Sequence, residues 1–489
     1  MEELQPRIET LSYASEAAPS FRAEIRQLLI LAAPAVGAKL SHMALGFTDF
    51  VFVSRMGTDA TAAISPATLF AFLILCLGMG CVTSIQTFAA QALGRREPHR
   101  AAPYVWQSFY IGLVFLLLTW PAHQCLRPFW TWVGHPPAVR EMEIAFCEID
   151  LWSMGLAIMC VGLESFFNGV QKPGIALTSV AVAIGVNAIG DYALIFGHLG
   201  FPAMGVRGSA LATVLAWLVR LGMMLAVYLS PKIDREFGTR ESWRLNFIRL
   251  KEILGMGGPI GVQWVLDVGA WFAFLTLIMA RFGTAAMAAA NIALQIMHLS
   301  FMPAIGIGIA VNSLVGHAIG AKRHAEAERH ARAGLAVIMA YMFSAAILYW
   351  RGGEWLMGLL SSDTEVIALG AGMLVWAAIF QVFDSMGINY IFALRGAGDT
   401  RWPSVLVIFH CWVTFILGAH IAMWLAPGMG IHAPWMMCTL YIILLGLSLA
   451  RRWQRGAWKK IELFKAEPAT EPGIAIDTAE AVPALTADT

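Results

Sequence analysis

The 489-residue chain is 58% hydrophobic and only 13% charged, about half the charge of an ordinary soluble domain. Apolar runs of about 20 residues recur too often for one soluble core; the formal net charge of +1 adds nothing about partners, and the basic loops read as a topology signal rather than a nucleic-acid site. No Walker A, His-Glu-x-x-His or Gly-x-Ser-x-Gly sequence occurs, so neither an enzyme nor nucleotide-driven work is expected.

Twelve apolar spans follow in order, and in lipid only helices satisfy backbone groups within each segment. The first 27 residues contain acids and proline rather than the positive, apolar, small order of a cleaved leader. They read as a cytoplasmic N-terminal segment. The span 28–54 carries Asp49 six residues before Arg55, about 9 Å below the surface by helical rise. Spans 62–93 and 103–122 come next. The span 144–170 carries Glu164 at depth, its role open, with Glu148 and Asp150 near a mouth where solvation is expected. In 175–198, Asp191 follows Asn187 by four residues, which puts carboxylate and amide on one face. The span 205–229 completes a first six-helix lobe, 28–229. A cytoplasmic linker, 230–250, follows, and its WRLNFIRLKEI stretch reads as an amphipathic surface helix entering the next span.

The second lobe, 251–452, opens with 251–281, where Asp267 follows Gln263 at the same spacing. In 286–319, Asn291, Gln295 and His298 form a polar stripe that lines a cavity or bonds a neighbouring helix. After 333–350, the span 364–394 places Asp384 one turn beyond Phe380, a ring that shields the carboxylate or faces a cation. Spans 403–425 and 429–450 close the lobe. Residues 453–489 read as a cytoplasmic tail, and 466–489 are too poor in apolar residues to fold. Basic residues crowd the loops 95–100, 171–172, 231–251, 321–332 and 395–401 and the tail from Arg451, against single residues such as Arg55, Arg140, Arg207, Arg281 and Arg351 opposite. That asymmetry puts both termini in the cytoplasm, and the chain reads as a multi-pass protein of the cell's inner membrane. Seven cysteines without a C-x-x-C pair read as buried thiols rather than a disulfide or metal site.

The two lobes repeat each other. SRMGTDATAA (54–63) matches ARFGTAAMAA (280–289) at six of ten positions, and AQALGRR (90–96) lies opposite GHAIGAK (316–322), both offset by 226. Pro34 and Pro259 are offset by 225, and FNGVQKP (167–173) and LRGAGDT (394–400) by 227. Such halves usually form a transporter with its site between them. The acids are not repeated: Asp49 falls on Leu275, Asp191 near Gly418, Asp267 near His42 and Asp384 near Ala157. One lobe therefore holds Asp49, Asn187 and Asp191, the other Asp267 and Asp384. An intramembrane carboxylate takes a proton, a metal ion or a cationic cargo, or else bonds a neighbouring helix. His42, two turns from Asp49, either relays protons or is a satisfied neutral histidine. The central spans are read as holding acids and essentially no Lys or Arg. That favours cationic or neutral amphiphiles over the anionic cargo of a lipid-linked precursor flippase, which is the alternative function.

Over roughly residues 25–455 the chain resembles multidrug and toxic-compound extrusion (MATE) exporters of the NorM-like branch. The resemblance rests on FTDFVFVSRMGT (47–58), FNGVQKPG (167–174), GVNAIGDYALIFG (185–197), PIGVQWVLDVGAWF (259–272), AANIALQIMHLSFMPAIGIGIAVNSLVGHAIGA (289–321) and IFQVFDSMGINYIFALRGAGDT (379–400). It implies an all-α membrane protein of two pseudo-symmetric six-helix lobes, a monomer that exports amphiphilic or cationic small molecules by antiport. It also implies an ion-coupling set of Asp49, Asn187 and Asp191, the place for sodium if sodium is the ion. Asp267 and Asp384 become substrate or cation ligands, with Gln263, Phe380, Asn291 and Gln295 as candidates beside them. No cofactor is implied beyond the H+ or Na+ gradient. Asp267 stands where Glu is usual and Phe380 where Tyr is usual. Both changes weaken an oxygen cage, so coupling is placed in the N-lobe, with protons favoured over sodium.

Overall fold

A computed structural model of the chain describes residues 20–464; the start of the N-terminal segment and the tail from residue 465 lie outside them. Twelve of the described helices are long and apolar enough to cross a membrane. In the N-lobe these are α1 (Phe21–Ser54), α2 (Asp59–Gly94), α3 (Pro98–Val133), α4 (Pro137–Gly169), α5 (Gly174–Phe196) and α6 (Val206–Tyr228). In the C-lobe they are α7 (Phe247–Phe282), α8 (Thr284–Gly320), α9 (His324–Gly358), α10 (Thr364–Gly396), α11 (Arg401–Leu425) and α12 (His432–Gln454).

Local chemistry sets their ends. Asn246 caps α7, its side-chain oxygen accepting from the Ile248 and Arg249 N–H groups, and Asp363 caps α10 in the same way. Since α7 begins only at Phe247, Trp243 to Leu245 stay outside the helix expected for WRLNFIRLKEI, and Trp243 closes a single 3-10 turn. Gly134 and Gly197, both left-handed, end α3 and α5. Inside α2 the helix breaks at Ser84, whose hydroxyl bonds back to the Cys81 carbonyl at 2.8 Å.

The repeat read from the sequence is also a repeat of packing. α3 lies on α4 as α9 lies on α10, and α4 on α6 as α10 on α12. Across the lobes α1 packs on α8 while α7 packs on α2. The turns after α2 and α8 pass through left-handed residues at Arg96 (φ 62°) and Lys322 (φ 59°), and those after α4 and α10 through Gln171 (φ 61°) and Gly398 (φ 90°).

The lobes are joined on the side that carries both ends of the described chain. A Cβ on Gly94 would lie 2.0 Å from the His317 carbonyl oxygen, and one on Gly320 would lie 2.1 Å from that of Gln91. Both pairs are related by the 226-residue repeat, so one close helix-end contact is made twice. Thr87 donates to the Arg395 carbonyl at 2.9 Å and Ser313 to the Gly169 carbonyl at 3.2 Å, again related by 226. Gln91 adds a bond to the Gly396 carbonyl at 3.0 Å, and Arg329 of α9 pairs with Glu24 of α1 at 2.6 Å. Beneath this contact the segment after α12 runs from lobe to lobe. Trp458 stacks on Trp453 at 4.3 Å, while Phe464, 5% exposed, packs on Phe88 and Tyr104 with Arg100 5.0 Å from its ring.

Candidate functional site

In the N-lobe, α1, α5 and α6 bring polar groups together inside an apolar bundle. Asp49 faces Asp191, Asn187 and Thr213, and Asp191 also faces Ser209. Thr213 donates to Asp49 Oδ2 at 3.3 Å. Asn187 and Asp191 are fully buried. Both oxygens of Asp191, both amide atoms of Asn187, Oδ1 of Asp49 and the Ser209 hydroxyl are buried without a hydrogen-bond partner. Buried polar groups are ordinarily satisfied, and two adjacent carboxylates call for a positive charge between them. The donor set of two carboxylates, an amide and a hydroxyl fits a proton or a small hard cation such as sodium. Asp150, expected near solvent, is instead 8% exposed, bonded by Ser153 at 3.1 Å and within electrostatic reach of Asp49. The solvation expected at the mouth of α4 does not extend to Asp150 because α4 is enclosed by α2, α3 and α6.

In the C-lobe, Asp267 of α7 and Asp384 of α10 stand close enough to interact. Two π-helical stretches, Phe274–Ile278 in α7 and His410–Leu417 in α11, widen the turns beside them, a distortion frequent at functional sites. The second presents Cys411 to Asp267 Oδ1 at 3.5 Å and lets Trp412 donate to the Leu266 carbonyl at 3.1 Å. Tyr441 of α12 lies within electrostatic range of both acids, on a helix that sequence spacing did not connect to them. Phe380 is 2% exposed and belongs to the C-lobe core. Asn291 donates to the Met287 carbonyl of its own helix at 3.1 Å, and Gln295 is exposed. Gln263 is turned away from the acids: its oxygen accepts from Arg395 at 3.2 Å and from Ser404 at 3.1 Å.

Between the lobes, above their contact, lies a cavity of about 110 Å³. Here the structure corrects the reading that the central spans lack basic residues. Lys39 of α1, Arg220 of α6 and Arg395 of α10 all line it, with Glu164, His42, Trp217 and Trp264. Glu164 accepts from Lys39 at 2.8 Å and from Arg220 at 2.7 Å, which settles its open role as a buried ion-pair bridge. Arg395, which sequence places in the cytoplasmic loop 395–401, instead lies in α10, which runs one residue past it and buries it to 7% exposure. A charge inside an apolar span identified the acids, and the same signal marks Lys39 and Arg220.

The sequence model of the MatE family matches residues 34–193 and 259–420, one block in each lobe. A "Probable multidrug resistance protein NorM" of Mesorhizobium japonicum is 30% identical over 452 residues, covering 89% of this chain and 94% of that protein. One of Brucella suis biovar 1, with the same name, is 29% identical over 434 residues, covering 86% and 91%. Among solved structures, the "Outward-facing conformation of a multidrug resistance MATE family transporter of the MOP superfamily" superposes with a TM-score of 0.81. It is 19% identical and covers 91% of this chain and all of that one.

Proposed function

Because this chain belongs to the MatE family, we propose that it is a secondary active multidrug exporter of the inner membrane that exchanges amphiphilic or cationic small molecules for H+ or Na+. The observation that carries the ion half of this reading is the N-lobe cluster of Asp49, Asn187 and Asp191 with its unpartnered buried atoms. An ion that binds there in one arrangement of the lobes and leaves in the other shifts the balance between them, and cargo follows by its own preference. Hydrogen bonds and ion pairs between the lobes that gather on one side support alternating access by rocking about the central cavity. With both termini cytoplasmic, the arrangement seen here is closed toward the cytoplasm. Asp267 and Asp384 with Tyr441 offer a second acidic pocket, suited to the cationic part of a cargo.

The test is dye efflux from everted vesicles with each gradient imposed alone. Export driven by a proton gradient is expected, with sodium giving less. Full transport from sodium with none from protons would reverse the choice of ion, and efflux indifferent to both gradients would sink antiport itself.

A further inference from the structure

We propose that the cavity between the lobes is a binding site for the anionic head of an amphiphile, a carboxylate, sulfonate or phosphate monoester, held by Lys39, Arg220 and Arg395. The first support is charge. Three cations and one carboxylate, Glu164, line the cavity, and Glu164 is shared by Lys39 and Arg220. The second is Arg395 itself. Among the described residues no carboxylate lies within ion-pair distance of it; its one side-chain bond goes to neutral Gln263 at 3.2 Å, and its Nε is buried without a partner. A buried guanidinium left without an anion is strongly disfavoured, and in a membrane span such a group marks a ligand path by default. Arg220 shares its one carboxylate with Lys39, so positive charge from both lobes is left over for a planar or tetrahedral anion in the cavity they line.

Size sets what enters. About 110 Å³ holds roughly four waters and falls well below the ~300 Å³ at which drug-sized pockets begin. The cavity therefore takes a head group, with Trp217, Trp264 and Ile260 supplying apolar wall for the first part of the tail. Lys39 and Arg220 belong to the N-lobe and Arg395 to the C-lobe, and the Arg395 carbonyl already accepts the Thr87 latch bond. An anion held here bridges the lobes just above their contact. The proposal rests on the export reading only in calling the amphiphile cargo; the site itself requires no gradient.

The test uses equilibrium binding to the purified full chain in phosphatidylcholine nanodiscs, read by fluorescence anisotropy of 12-(dansylamino)dodecanoic acid, whose carboxylate ends a slender alkyl chain, and of its methyl ester. The two dyes differ only in the carboxylate. Wild type is expected to prefer the acid. Arg395→Gln should weaken the acid about tenfold while leaving the ester within about twofold, and Arg395→Lys should recover part of the loss. No preference for the acid in wild type, or equal losses of both dyes in Arg395→Lys, overturns the proposal. Should Arg395→Gln lose both dyes through misfolding, competition on wild type decides. Displacement of the acid by hexyl phosphate but not by hexyltrimethylammonium supports the site, and the reverse overturns it. Repeating the wild-type titration with phosphatidylglycerol in the discs separates the sources. A weakened acid dye there places a lipid head in the same site, whereas unchanged affinity assigns the site to cargo. Because no gradient is imposed, a failure here is distinct from a failure of antiport.

Discussion

At the scale of single residues, the N-lobe concentrates unsatisfied polarity that packing alone does not explain. Asp191 and Asn187 are fully buried with neither polar atom of either side chain bonded. The amide that replaces a carboxylate keeps its shape but no longer changes charge. Asp49→Asn and Asp191→Asn should therefore each cut gradient-driven efflux to below about a tenth of wild type while the protein still reaches the membrane; wild-type efflux under a limiting gradient would rule out the assignment. Glu164 makes a contrasting case, because its charge is already matched. Removing it with Glu164→Gln strands Arg220, whose side chain is 5% exposed, and Lys39, at 28%. Breaking a buried pair costs about 3 kcal/mol or more, and the Lys39 share is discounted for its solvent contact. A fall in Tm on thermal unfolding in detergent should follow, and an unchanged Tm would show that the pair carries no stability.

Among the helices, the ends of α2 and α8 matter most. Gly94 and Gly320 meet the opposite lobe's backbone so closely that a methyl group would sit about 2 Å from a carbonyl oxygen. Backbone on both sides leaves no flexible side chain to yield, so the helix ends must part. Gly94→Ala and Gly320→Ala should each shift the lobes toward opening on this side, by about tenfold in population. The two should act alike, because the repeat makes their contacts equivalent. Spin labels at His99 and Ala325, both exposed, report the distance across the contact by pulsed electron resonance. An unchanged distribution in both variants would refute the latch.

For the whole molecule, hydrogen bonds and ion pairs between the lobes, among the described residues, gather on one side, which is what a rocking pair of rigid bodies requires. The segment 457–464 belongs to that closure. Trp458 is seated against the C-lobe and Phe464 against the N-lobe, so opening on this side must free one of them. Phe464→Ala removes a nearly buried ring from beneath the contact. It is expected to raise the open population about tenfold in the same label experiment, without lowering dye affinity measured in the closed arrangement. Loss of dye affinity instead would give Phe464 a role at the binding site.

Sequence alone determined what depends on local composition and on the repeat. Apolar runs long enough for lipid gave twelve helices, since the backbone in hydrocarbon has no other partner, and the register between SRMGTDATAA and ARFGTAAMAA anticipated two lobes of one plan. It also found Asp49, Asn187 and Asp191, because a carboxylate inside an apolar span is conspicuous and i, i+4 spacing puts two groups on one face. Tertiary structure decided everything that joins distant helices. Tyr441 comes within electrostatic range of the C-lobe acids from a helix no spacing links to them, and Asp150 is enclosed by neighbours rather than solvated. Arg395 lies 175 residues from Arg220 in sequence, yet both line one cavity. The charge of a site is the sum over side chains that packing brings together, and one-dimensional order does not carry that sum.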